Sequence, residues 1–74
     1  MSDNADKLIR MANQIATFFK AQGEEAAVAQ VADHLKAFWT PRMRADLYEL
    51  VASDAPKFDP VALAAALKVA ENSP

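Results

Sequence analysis

The stretch DHLKAFWTPRMR, residues 33–44, decides the fold, because it holds the end of one helix and the start of the next. Thr40 is a favourable N-cap residue, and Pro41 suits the first helical position, where the N–H that proline lacks has no intrahelical partner. The stretch therefore predicts that one helix ends near Trp39 and that another begins at Pro41. We expect Phe38 and Trp39 at the corner between the two helices, where the core should form.

On both sides of this corner, apolar residues recur at the helical spacing of about 100° per residue, and no strand pattern is present. Gly23 follows the first predicted helix, at the position where a residue in the left-handed conformation is common. Asp59-Pro60 repeats the cap-and-proline signal and predicts the start of another helix. Residues 53–58 form the one clear loop. The sequence predicts an all-α fold, a small bundle of three main helices plus a short fourth one, with helices over residues 5–22, 24–39, 41–53 and 60–70.

The chain has 74 residues, near the size at which a single core supplies only about 3–5 kcal/mol of net stability. We expect one helical domain over residues 1–74, with frayed ends at 1–4 and 71–74 and a cap on the first helix from Asp3 or Asn4. The sequence contains no cysteine, so disulfides and thiolate metal sites are excluded. Further support for so small a core must come from helix packing or from another chain.

The first helix has an apolar arc over about half its circumference, wider than the roughly 100° stripe that one neighbour requires. This helix should therefore touch apolar groups on two sides. Its stripe consists of Leu8, Met11, Ala12, Ile15 and Phe19, flanked by Ile9, Ala16 and Phe18. In the other helices we predict burial of Val28, Val31, Ala32, Leu35, Phe38 and Trp39, then of Met43, Leu47, Leu50 and Val51, and finally of Val61, Leu63, Ala64 and Leu67.

Charge and composition exclude several classes of function. The net charge is −2 and the pI about 5.1, so no general basic surface is available for nucleic acid. One glycine rules out phosphate-cradling loops, and a single histidine without cysteine offers no nucleophile–base pair. No apolar run reaches about 18 residues and the N-terminus lacks signal-peptide features, which indicates a cytoplasmic protein. We predict no catalytic, cofactor-binding or metal-binding residue, no nucleic-acid partner and no membrane partner.

The arginines of the corner are the best candidates for contact with another chain. Arg42 and Arg44 lie in the first turn of a helix, where positive charge opposes the helix dipole at about 0.3–1 kcal/mol each when exposed. Helix stability therefore does not explain them. Either they are ordinary solvated charges, with Arg42 paired to Asp46, or they bind carboxylates or carbonyls of a partner, which arginine does well.

Three motifs carry a resemblance to a known family. They are LIRMANQI (residues 8–15) with the following Phe18-Phe19, VADHL with FWTPRMR (residues 31–44), and FDPVA (residues 58–62). Together they resemble the delta subunit of soluble NAD-dependent formate dehydrogenases, over nearly the whole chain. The third motif departs from the family pattern, because it has Val61-Ala62 where bulkier residues are typical.

The resemblance implies an accessory subunit of a cytoplasmic oxidoreductase complex that interconverts formate and carbon dioxide with NAD. In such complexes a large alpha subunit carries bis-molybdopterin guanine dinucleotide and iron–sulfur clusters, beta carries flavin (FMN), gamma carries further iron–sulfur centres, and delta carries none. Delta is then expected to dock on alpha and stabilise it. As positions at the partner interface or at the corner, we predict Arg10, Asn13, Gln14, Phe18, His34, Trp39, Arg42 and Arg44.

Two alternatives remain open from the residues. One is an independent binding module, either a homo-oligomeric bundle or a helix-turn-helix-like DNA binder, although Asp46 and Glu49 would repel phosphates. The other is a transient assembly chaperone for the same enzyme. Molybdenum and tungsten both remain open as the metal of the complex.

Overall fold

A computed structural model describes residues 3–72 of the chain. Four α-helices follow one another, with no strand among these residues, which confirms the all-α prediction. A short 3-10 helix, Ala55–Lys57, precedes the last of them. The helices are α1 (Asp3–Gln22), α2 (Glu24–Phe38), α3 (Pro41–Asp54) and α4 (Pro60–Glu71).

Each observed helix end lies within about two residues of the end predicted from the sequence, with some local differences. We expected frayed ends at residues 1–4 and 71–74 and a cap at Asp3 or Asn4, but Asp3, Asn4 and Glu71 belong to helices and Asn72 is the C-cap of α4. Residues 1–2 and 73–74 lie outside the described part. Gly23 has a φ of +146° and a ψ of 116°, a conformation that only glycine adopts readily but that is not the left-handed helical one. The predicted loop is largely helical, because α3 continues to Asp54 and the 3-10 helix follows.

The corner between α2 and α3 forms as predicted. Thr40 accepts a hydrogen bond at its Oγ1 from the backbone N–H of Met43 (3.1 Å), and Pro41 occupies the first turn. Trp39 is the C-cap of α2, with extended backbone (φ −89°, ψ 137°), and is buried. Phe38, however, is 73% exposed, so its predicted burial is wrong. Trp39 leaves the helix and takes the inner position, so the helical spacing no longer places the two side chains together.

The core is centred on α2, which packs against α1 on one side and α4 on the other. Alanine contributes many of its side chains, so the helices approach closely. The predicted residues Leu35, Leu47, Val31 and Val51 are buried. Of the other residues predicted to be buried, Val28, Met43 and Leu50 are only partly covered and pack against the core.

The fourth helix is more central than the predicted short addition, and it buries a different face. Its buried residues are Ala62, Ala65, Ala66 and Val69, at the spacing i, i+3, i+4 and i+7. Of the predicted face, Ala64 is exposed and Leu67 is 49% exposed, while Val61 and Leu63 are partly buried. Small side chains on the inner face let the α4 backbone approach α2, and the larger leucines lie toward the outside.

Candidate functional site

A row of four aromatic rings crosses the surface between α1 and α2. The ring centroids of Phe18 and Phe19 are 5.1 Å apart, those of Phe19 and His34 are 6.2 Å apart, and those of His34 and Phe38 are 4.8 Å apart. Edge-to-face and tilted arrangements at these distances are attractive. Phe18 is 59% exposed and Phe38 is 73% exposed, so the row presents two large apolar side chains to solvent.

These rings form one side of a groove of about 510 Å³, which we call the aromatic groove. It runs along α1 and α2 to the start of α3. No carboxylate lines it, and the lining residues with polar side-chain groups are Gln14, His34 and Trp39, the last through its indole N–H. The groove is lined by Met11, Gln14, Ile15, Phe18, Phe19, His34, Phe38, Trp39 and Met43.

Basic side chains lie at the end of the aromatic groove that is formed by Met11 and Met43. These two methionines also line an adjoining depression together with Lys7, Arg42 and Asp46. The Nε of Arg42 is 3.6 Å from the Asp46 carboxylate, which confirms the predicted pairing, but the Arg42 side chain remains 86% exposed. An exposed ion pair of this kind contributes little to stability, so Arg42 can leave Asp46 and bind an acidic group of another molecule at little cost.

Arg44 has a structural explanation that the sequence analysis did not find. Its Nη1 donates a hydrogen bond to the backbone carbonyl of Lys36 (3.3 Å), in the last turn of α2. The carbonyls at a helix C-terminus lack intrahelical partners and favour positive charge. Arg44 therefore stabilises the end of α2 from the start of α3 and helps to hold the corner.

Asn13 connects α1 to the segment that enters α4. Its Oδ1 accepts a hydrogen bond from the backbone N–H of Asp59 (2.8 Å), and its Nδ2 donates to the backbone carbonyl of Lys57 (3.0 Å). Asp59 in turn caps α4 by accepting from the N–H of Val61 (2.8 Å) and pairs with Lys20 of α1 at 2.5 Å. We call Asn13, Lys20 and Asp59 the α1–α4 clasp.

The charge of Asp59 is stabilised within the clasp. Burial by itself raises the pKa of this carboxyl, but the hydrogen bond from Lys20, the N–H of Val61, the charge of Lys20 and the N–H of Ala62 together outweigh it. The net result is a pKa below the ordinary value of 3.8. Asp59 therefore acts as an ionised cap in the folded chain.

Seven of the eight predicted site residues lie on two surfaces, and the eighth, Arg44, instead binds the end of α2. Phe18, His34 and Trp39 line the aromatic groove, Arg42 lies at its end, and Gln14 also borders a second groove on the other side of α1. That second groove, of about 450 Å³, contains Arg10, Asn13 and Gln14 of the first motif together with Thr17 and Lys57.

Several residues of the aromatic groove were not predicted as interface positions. Phe38 was assigned to the core, and Met11, Phe19 and Met43 were expected to be covered. A usable signal was present, because Phe38 and Trp39 are adjacent and only one of two adjacent bulky residues can take the inner position of a tight corner. Lys7 was missed because lysine near a helix N-terminus carries no motif of its own.

Within residues 3–72, no three side chains among His, Asp and Glu lie close enough together to hold a metal ion. His34 faces phenylalanine rings on either side. No helix in this range is long and apolar enough to cross a lipid bilayer. The most distinctive features are therefore an apolar groove and the charges at its end.

Comparison with known protein families gives a match over most of the chain. The family model described as NADH-dependent formate dehydrogenase delta subunit FdsD matches residues 7–66, most of the 74-residue chain. The match includes the aromatic groove, the corner and the clasp. No curated protein and no solved structure matches.

Proposed function

This chain belongs to the NADH-dependent formate dehydrogenase delta subunit family, and on that premise we propose that it is a non-catalytic accessory subunit that docks on the large catalytic subunit and stabilises it. A delta subunit is by definition one component of a multi-subunit oxidoreductase. The proposal adds that the docking partner is the alpha subunit, in a cytoplasmic complex that also contains beta and gamma subunits. The chain is a permanent member of that complex.

The observation that carries the proposal is the aromatic groove. Phe18 and Phe38 remain 59% and 73% exposed, and neither belongs to the buried core cluster. Clustered exposed aromatics on so small a domain mark a surface for another protein, since free monomers rarely expose contiguous apolar patches without a function. Covering these rings would add apolar burial that a 74-residue core cannot supply internally.

The cofactors of the enzyme are assigned to the other subunits. The family resemblance implies bis-molybdopterin guanine dinucleotide, iron–sulfur clusters, FMN and NAD for the whole complex. Iron–sulfur clusters need thiolate ligands, and this chain has no cysteine. A single histidine and one glycine likewise offer no set of ligands or phosphate-binding loop for the remaining groups. The role of this chain in the reaction is therefore to support the subunit that carries them.

The test is to produce the complex with and without this chain from a tagged alpha subunit. We expect the chain to co-purify in a fixed ratio, and the complex without it to lose formate-dependent NAD reduction faster on warming. The half-life at a set temperature is the measurement. Formate turnover by the isolated chain would contradict the proposal, as would unchanged yield, activity and half-life without it. A chain that raises the yield but is absent from the mature complex would be an assembly chaperone instead.

A further inference from the structure

The walls of the aromatic groove limit what kind of segment can occupy it. They are formed by helices, whose backbone N–H and C=O groups are already paired within α1 and α2. An extended segment laid on these walls would leave its own backbone groups without partners against apolar side chains, which is costly. A helix satisfies its backbone internally and packs into the groove between two helices, as in a bundle.

The chemistry of the groove selects an amphipathic helix with apolar anchors. A cavity of about 510 Å³ with aromatic walls accepts large side chains rather than a flat contact. Met11 and Met43 add flexible thioethers that adapt to the shape of an inserted side chain. Anchors at i, i+3 or i+4, and i+7 of a helix would lie in a row along such a groove.

The charges near the aromatic groove favour one orientation of a bound helix. No carboxylate lines the groove, and Lys7 and Arg42 lie beyond the end formed by Met11 and Met43, with Asp46 neutralising only one of the two. A carboxylate near the basic end would therefore be attracted. The C-terminal end of a helix carries partial negative charge and would also be favoured there.

We infer that the aromatic groove binds one amphipathic helix of the large subunit, with apolar anchors between Phe18 and Phe38 and its acidic, C-terminal end beside Lys7 and Arg42. This inference rests on the proposed function, because it names the surface and the partner segment for that docking. It goes further in assigning the secondary structure, polarity and charge of the segment. Interface hot spots are typically aromatic or arginine side chains of this kind.

The test measures binding of the full chain to a formate dehydrogenase complex prepared without delta. Phe38→Ala should weaken binding at least tenfold, a loss of about 1.4 kcal/mol. The matched control is Leu67→Ala on α4, a residue 49% exposed and outside the groove, which should change binding less than twofold. Neither side chain is buried in the core, so both variants should fold.

A second pair of variants tests the charge. Arg42→Glu should weaken binding several-fold and reduce its dependence on salt, since one attractive contact becomes repulsive. Glutamate suits the first turn of α3, and its repulsion from Asp46 is weak at this exposed position, so the variant should fold. The control is Lys68→Glu, an exposed position on α4 away from the groove, which should bind like the unmodified chain.

A photo-crosslinking amino acid at position 38 identifies the occupant. Crosslinks to an alpha-subunit helix with an acidic C-terminal end support the inference. Crosslinks to a strand, to another subunit or to a second copy of this chain overturn it, and so does wild-type binding by both Phe38→Ala and Arg42→Glu. If the unmodified chain does not bind the complex at all, the proposed function itself fails, so the two failures are distinguishable.

Discussion

At the scale of single residues, the sequence motifs contain two kinds of side chain. Some make contacts that hold the fold together, and others remain exposed to solvent. Asn13 and Arg44 make hydrogen bonds that join separate elements, to the 57–59 segment and to the end of α2. Phe18 and Phe38 lie largely in solvent. A motif therefore does not by itself separate residues that build the fold from residues that contact a partner.

Asn13→Ala should destabilise the isolated chain by about 1–3 kcal/mol, because two hydrogen bonds are lost and the N–H of Asp59 loses its acceptor. Urea unfolding followed by circular dichroism gives the free energy of unfolding. Gln14→Ala, at the adjacent exposed position, is the control and should stay within about 0.5 kcal/mol. Equal stability of the two variants would show that the clasp does not hold α4 to α1.

At the scale of the elements, local signals were read correctly where one or two residues determine the outcome. Thr40-Pro41 and Asp59-Pro60 start α3 and α4 as predicted, because a cap hydrogen bond and a proline act within a single turn. The buried face of α4 could not be read in this way. Seven of its twelve residues are alanine or leucine, so the sequence gives little contrast between faces, and packing against α2 decides.

The same reasoning explains the errors in the candidate site. Helical spacing places Phe38 beside Leu35 and Val31, but α2 ends at Phe38 and Trp39 takes the interior. The hydrogen bond of Arg44 to Lys36 could not be predicted, because it depends on how α3 approaches the end of α2 in the tertiary structure. Asn13 pairs with residues more than forty positions away, and no local pattern reports such a contact.

Close approach of α4 to the core can be tested with two alanines of the same helix. Ala65 is fully buried, so Ala65→Leu should destabilise the chain by about 1–3 kcal/mol through overpacking. Ala64 is exposed, so Ala64→Leu should leave the free energy of unfolding nearly unchanged, since alanine and leucine have similar helix propensities. Urea midpoints of the two variants provide the comparison. If Ala64→Leu destabilised the chain more than Ala65→Leu, the buried face of α4 would be the one predicted from the sequence, which includes Ala64 and Leu67.

At the scale of the whole molecule, the four helices close one core, and the aromatic groove lies at the surface of that core, with buried Trp39 in its wall. The core consists largely of alanine, leucine and valine, whereas three of the four phenylalanines lie at the groove. A small domain would gain stability by turning these rings inward if no partner used them. Their position is consistent with a subunit of a larger enzyme, the family to which the chain belongs.

The most direct test of this account is hydroxyl-radical footprinting of the isolated chain and of the assembled formate dehydrogenase. Oxidation at Phe18 and Phe38 is measured in both states, with exposed Leu67 as the internal reference. We predict that both phenylalanines are readily oxidised in the isolated chain and become protected several-fold in the complex, while Leu67 changes little. Equal oxidation of Phe18 and Phe38 in the two states would contradict the account.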